Sequence, residues 1–243
     1  MEPVKVGILG LGTVGAGTVQ VLARNAREIA RRAGREMRIV HAAARDIQRP
    51  RSCPLDGVRL TTDPMEVVNN KNLDIVVELI GGYEPARTLV VRAIENGKHV
   101  VTANKALIAM HGNEIFSAAQ KKGVMVAFEA SVGGGIPIIK ALREGLTANR
   151  IEWIAGIING TTNFILSEMR DKGLPFDVVL KEAQRLGYAE ADPTFDIEGV
   201  DAAHKITILS ALAFGIPMQF DKAHIEGISQ LDADDIKYAE QLG

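Results

Sequence analysis

Val4-Lys5-Val6-Gly7-Ile8-Leu9-Gly10-Leu11-Gly12-Thr13-Val14-Gly15 is the stretch on which the fold turns. Its first six residues form a short apolar run broken only by Lys5, the form of a buried strand, and a helical pattern starts directly behind the glycines. A GxGxxG match is weak alone but informative between a strand and a helix. There the first glycine (Gly10) permits a tight turn, the second (Gly12) lets the backbone approach a pyrophosphate, and the third (Gly15) lets the helix pack on the strand. The helix N-terminus then faces the phosphates. Dinucleotide binding is the reading, against the blander alternative of an incidental glycine-rich turn.

Downstream, short apolar runs alternate with helical patterns, which is the sequence form of βαβ units and of a doubly wound parallel sheet of the Rossmann type. Further strands are expected at Arg38 to Ala44, Leu73 to Ile80, Lys98 to Thr102 and Val124 to Phe128. From Pro85, the apolar residues Ala86, Leu89, Val90, Ala93 and Ile94 fall on one helix face, with proline in the first turn and Gly97 just past the end. The arginine-rich segment Arg24 to Glu36 reads as a solvated helix face extending the first crossover, and Arg49 to Val58 as a surface loop.

At Ser131-Val132-Gly133-Gly134-Gly135-Ile136-Pro137 the alternation stops. The glycine triplet lies among apolar residues, so a packed turn is favoured over a loose tether. This places a boundary between a dinucleotide-binding domain, 1–135, and an α+β domain for substrate binding and dimerisation, 136–243. In the second domain the pattern predicts helices near Ile138 to Leu146, Thr162 to Met169, Phe176 to Leu186, Asp201 to Phe214 and Asp234 to the end, with a strand at Ile151 to Ile158.

Composition narrows the possibilities. The 243 residues carry 28 basic and 30 acidic side chains, a formal net charge of −2, which argues against a nucleic-acid partner. Forty-seven per cent hydrophobic and 24% charged residues make an ordinary globular chain and exclude disorder as its main state. The longest uncharged apolar stretches fall short of the roughly 20 residues that cross a bilayer, so no membrane segment is expected. One cysteine, Cys53, forms neither an internal disulfide nor a thiolate metal site. A cytoplasmic location is the expectation that follows.

The first polar side chain beyond the second strand is Arg45. A guanidinium suits a 2′-phosphate where a carboxylate would repel it, so NADP is favoured, with NAD left open because Asp46 can still accept from a ribose hydroxyl. Lys105 lies just past a strand end, at the edge where ligands of such sheets gather, although lysines are also common in ordinary loops. The densest polar constellation is Glu190, Asp192, Asp196, Glu198 and Asp201, five carboxylates within twelve residues. Asp201 and Lys205 are one helical turn apart. Exposed pairs of that spacing are commonplace, but the residues after them are apolar nearly all round, so charge there is costly unless it is paired or used. His204 reads as a packing or capping residue.

At these residues the likeness becomes specific. GLGTVG at Gly10 to Gly15, TANKAL at Thr102 to Leu107, EASVGGGIPII at Glu129 to Ile139, NGTTNFIL at Asn159 to Leu166 and LGYAEADPTFDIEGVDAAHK at Leu186 to Lys205 occur in order, and the chain resembles homoserine dehydrogenase along its whole length. The resemblance implies reversible reduction of L-aspartate 4-semialdehyde to L-homoserine with NAD(P)H, on the route to threonine, isoleucine and methionine. It implies nucleotide contacts from Gly10, Gly12, Thr13, Val14, Gly15, Arg45, Lys105 and Gly187. Glu190, Asp201, Gly160, Thr161 and Tyr188 would hold the amino acid, and Lys205 would carry the proton, with Asp201 beside it. A monovalent cation resembling sodium would sit on Glu129 and the carbonyls of Val132, Gly134 and Ile136, hard oxygen donors suited to it. The resemblance further implies a homodimer and a second domain continuing beyond Gly243, so the chain is expected to be truncated at its C-terminus. The competing reading is a catalytically silent dinucleotide-binding and dimerisation fragment. A third, action on another amino-acid semialdehyde, is opposed by the Glu190 to Lys205 motif.

Overall fold

The computed structural model describes residues 2–243, which separate into two compact units, 2–145 and Leu146–Gly243. In the first, strands β1 (Val4–Leu9), β2 (Met37–Ala43), β3 (Arg59–Thr61), β4 (Ile75–Glu78), β5 (His99–Thr102) and β6 (Val126–Ala127) form one sheet in the order β3-β2-β1-β4-β5-β6. Every pairing is parallel. The winding reverses between the neighbouring strands β1 and β4, and this opens a crevice above the C-terminal ends of the strands.

The helices of this unit are α1 (Thr13–Arg24), α2 (Ala26–Ala33), α3 (Pro64–Asn69), α4 (Ala86–Glu95), α5 (Lys105–Lys122) and α6 (Ile138–Lys140), the last running into a π turn at Ala141–Gly145. α4 buries Ala86, Leu89, Val90, Ala93 and Ile94, the five residues that its periodicity selects. α2 buries nothing, and its Glu28 pairs with Arg31 and Arg32, so the arginine-rich segment is a solvated face. α3 starts on an Asp63 cap whose Oδ1 accepts the Met65 N–H at 2.8 Å, with Pro64 in the first turn. β3 lies outside the expected strands. Three residues in which Leu60 alone is a large apolar side chain carry too short an alternation to register, and β3 forms because β2 offers an open edge.

In the second unit, α7 (Gly160–Lys172), α8 (Phe176–Leu186), α9 (Thr194–Ile197), α10 (Val200–Phe214) and α11 (Ala233–Leu242) follow one another. Ile165 and Met169 of α7 pack with Val179 and Ala183 of α8 in one core. Burial of Ile165, Met169 and Val179 contributes about 1.5–3 kcal/mol each. The strand expected at Ile151 to Ile158 is not formed. A strand needs a partner ladder, and no described strand pairs with this stretch, so it runs without regular structure with Trp153 and Ile157 exposed at 73% and 79%. His204 is fully buried, its ring 4.6 Å from that of Phe220 and 5.3 Å from that of Phe195, which bears out its reading as a packing residue.

His41 of β2 is buried at 1% exposure, with Nδ1 3.2 Å from Asn70 Nδ2. Burial, and then the charge of Arg59, hold its imidazole below the usual 6.5, while Glu66 pulls the other way. The unfolded chain therefore takes up this proton first as the pH falls. Stability attributable to His41 is full above 6.5 and declines as the pH drops through that value towards the folded pKa. We expect His41→Leu to gain stability relative to the parent between about pH 7 and about pH 5 in denaturant titrations. A difference that stays constant across the range would show that His41 contributes no such slope.

Candidate functional site

The first unit shapes a cleft of about 790 Å³ at the crevice, lined by Gly10, Gly12, Arg45, Arg51, Thr62 and Ile80 among others. Two of the glycines are required by packing. A side chain on Gly10, at φ +97°, would place its Cβ 2.7 Å from the Leu79 carbonyl oxygen, and one on Gly15 would overlap the Gly10 carbonyl. A Cβ on Gly12 would meet nothing within 4 Å. The space above Gly12 is thus kept open at the N-terminus of α1, where Thr13 and Val14 are exposed and the helix has no side-chain cap. Those free N–H groups and the positive helix end suit a phosphate anion.

Beyond β2, Arg45 is exposed and makes no hydrogen bond or ion pair among the described residues. Asp46 is differently placed: its Oδ1 accepts the N–H groups of Gln48 at 2.9 Å and Arg49 at 3.2 Å, which commits that oxygen to the loop. Arg51 donates to the carbonyls of Leu11, Arg49 and Asp46 and ties the same loop to the glycine turn. Arg45 and Arg49 are thus the two arginines lining the cleft whose guanidinium groups have no partner among the described residues. Lys105 is the first residue of α5, half-buried, beyond the C-terminal end of β5.

The second unit gathers its charges around Asn159. This side chain caps α7 by accepting the Thr162 N–H at 2.8 Å, and its Nδ2 donates to Asp196 Oδ1 and Asp201 Oδ2, each at 2.8 Å. Asp201 Oδ2 lies 2.6 Å from Lys205 Nζ, which also donates to the Ile158 carbonyl at 2.6 Å. The two charged side chains are only 5% and 16% exposed. A buried carboxylate is tolerable here because an ammonium and an amide N–H both answer it. Thr161 Oγ1 bonds the Tyr188 carbonyl at 2.8 Å and Asp196 Oδ2 at 3.1 Å, drawing Gly160, Thr161 and Tyr188 to the same corner. Glu190 is exposed, and its carboxylate has no partner among the described residues. Gly187 ends α8 in the left-handed conformation.

Sequence reading missed Asn159 and Asp196 as organisers. The Asn-Gly-Thr-Thr start of α7 signals a cap, but nothing local shows that the other end of the cap amide reaches two distant carboxylates. Glu129 bonds the N–H groups of Ile139 and Lys140, both at 3.0 Å, and the Ile136 carbonyl accepts from Ile138 at 2.8 Å. Among the described residues no group of three or more His, Cys, Asp or Glu side chains is arranged to hold a metal ion. No described helix is long and apolar enough to cross a membrane.

Residues 10–129 match the sequence profile of the homoserine dehydrogenase NAD-binding domain, and residues 137–243 match that of homoserine dehydrogenase itself. The chain belongs to the homoserine dehydrogenase family. It is 67% identical over its full length to the Pseudomonas aeruginosa homoserine dehydrogenase, 56% of which it covers. The crystal structure of the Thiobacillus denitrificans homoserine dehydrogenase superposes with a TM-score of 0.94 at 71% identity, over all of this chain and 56% of that one. A hyperthermophilic archaeal homoserine dehydrogenase in complex with NADPH matches with a TM-score of 0.79 at 28% identity, over 95% of this chain and 76% of that one. The chain thus spans about half the length of the curated relatives it matches.

Gly12 and Gly15 offer a contrast that separates ligand from packing. We expect Gly15→Ala to lower unfolding stability by about 3 kcal/mol or more, because backbone must move, and Gly12→Ala by less than about 1 kcal/mol. Equal losses in denaturant titrations would contradict that division.

Proposed function

We propose that this chain carries the catalytic region of a homoserine dehydrogenase, which interconverts L-aspartate 4-semialdehyde and L-homoserine. The observation that carries the reading is the buried Lys205–Asp201 pair fastened by Asn159. A bound nicotinamide supplies or removes the hydride. The protein's own work is to bind, orient and move a proton. Lys205 has three N–H donors and uses two on Asp201 and the Ile158 carbonyl, which leaves one for the substrate oxygen. In the reductive direction it protonates the oxygen that gains negative charge, and in the oxidative direction its neutral form takes the hydroxyl proton. Asp201 fixes the ammonium and contacts the amino acid. Glu190, whose carboxylate has no partner among the described residues, neutralises the substrate ammonium, and Gly160, Thr161 and Tyr188 line the amino-acid corner.

For the dinucleotide, we assign Gly10, Gly12, Thr13, Val14 and Gly15 to the pyrophosphate turn, Arg45 to the 2′-phosphate of NADP, and Lys105 and Gly187 to further contacts. A monovalent cation such as sodium would be held by Glu129 and the carbonyls of Val132, Gly134 and Ile136. The all-oxygen donor set suits it. Glu129 retains lone pairs beyond its two bonds to backbone N–H groups, whereas the Ile136 carbonyl already accepts one. We place homodimerisation on the second unit, supported by the unpaired stretch at Ile151 to Ile158 with its exposed Trp153 and Ile157.

Arg45→Ala should weaken NADP far more than NAD, on the order of 1–3 kcal/mol for a lost charged hydrogen bond, in a comparison of Michaelis or dissociation constants. Equal losses for the two cofactors would show that Arg45 does not read the 2′-phosphate. Lys205→Met should lower kcat for homoserine oxidation by roughly 10² to 10⁴ with NADP affinity nearly unchanged. Near-normal turnover in that variant, with Lys105→Met inactive, would transfer the proton role to Lys105.

A further inference from the structure

Glu78, the last residue of β4, is fully buried, and no cation pairs with it among the described residues. Its carboxylate is held by hydrogen bonds alone. Oε1 accepts the N–H groups of Ile80 at 2.7 Å and Gly81 at 3.2 Å, and Oε2 accepts the Thr102 hydroxyl at 2.6 Å. Thr102 Oγ1 in turn accepts the Asn104 N–H at 2.9 Å. Asn104 caps α5 through the Leu107 N–H at 3.1 Å and donates from Nδ2 to the Gly82 carbonyl at 2.7 Å, which closes the circuit.

A buried carboxylate costs several kcal/mol unless its acceptors are filled. Three donors converge on this one, and an acceptor-only group is the one side chain type that satisfies all three. The circuit fixes two pieces of backbone. One is Leu79 to Gly82, where Leu79 and Ile80 line the cleft and Leu79 N–H bonds the Leu9 carbonyl at 2.8 Å beside Gly10. The other is the first turn of α5, which begins at Lys105. In a doubly wound sheet the ends of β1 to β3 serve the adenine half of a dinucleotide, and those of β4 to β6 serve the other half.

We propose that Glu78 is a positioning residue for the nicotinamide half of the dinucleotide site, acting through Thr102 and Asn104 on the walls at Leu79–Gly82 and Lys105. This role rests on dinucleotide binding at the same edge. Glu78→Gln keeps the shape and breaks the circuit. Its amide nitrogen must face either the two backbone N–H groups or a Thr102 hydroxyl that then loses its acceptor.

The test is fluorescence titration of the full chain with NADPH, and competition by adenosine 2′,5′-bisphosphate, which fills the adenine half alone. Glu78→Gln and Thr102→Val should each weaken NADPH by about tenfold and leave the bisphosphate within about twofold, and the double variant should add little to either. Thr102→Ser, which keeps the hydroxyl, should restore NADPH binding. The proposal is overturned if NADPH affinity is unchanged in both variants, if both ligands weaken equally, or if both variants unfold, since the circuit would then be scaffold only. A parent chain that binds neither ligand would overturn dinucleotide binding itself, an outcome distinct from the other three.

Discussion

The close contact of α1 with the turn after β1 is the constraint on which the nucleotide edge depends. With no Cβ at Gly15, the helix begins directly against the Gly10 carbonyl, and with none at Gly10 the turn lies on Leu79. Those two approaches place the free N–H groups of the first helical turn over the strand ends. From there the rest of the edge is arranged by hydrogen bonds from neighbouring loops. Arg51 draws the 46–51 loop to Leu11, and the Glu78–Thr102–Asn104 circuit sets the opposite side. Arg45 is then exposed at a strand end without a partner among the described residues.

In the second unit the governing problem is the cost of buried charge. Asp201 and Lys205 share a helix face, but the pair alone leaves oxygen lone pairs and ammonium protons unanswered. Asn159 and the Ile158 carbonyl answer some of them and come from the segment that leads into α7. One amide therefore caps a helix and restrains two carboxylates, Asp196 and Asp201. This arrangement holds Lys205 while leaving one of its three N–H groups uncommitted among the described residues.

The glycine triplet is part of a turn whose ends are joined by Glu129, which spans to the N–H groups of Ile139 and Lys140. Val132 at its start is buried, whereas Gly134, Gly135 and Ile136 are exposed and a Cβ on Gly134 or Gly135 would meet nothing within 4 Å, so the turn is anchored at its ends rather than packed at the triplet as expected.

Period and punctuation in the sequence were enough to specify β1, the GxGxxG turn, α4 with its five buried positions, α8 and α10, because each depends on neighbours within a few residues. The Asp201–Lys205 pair was legible for the same reason, since one helical turn joins the two. Tertiary context alone decided four other features. β3 exists because β2 has an open edge, and Ile151 to Ile158 is not a strand because no described partner pairs with it. Asn159 reaches Asp196 and Asp201 across 37 and 42 residues, and Glu78 reaches Thr102 across 24. Hydrogen bonds over such separations follow from how the elements pack, and local periodicity carries no record of that.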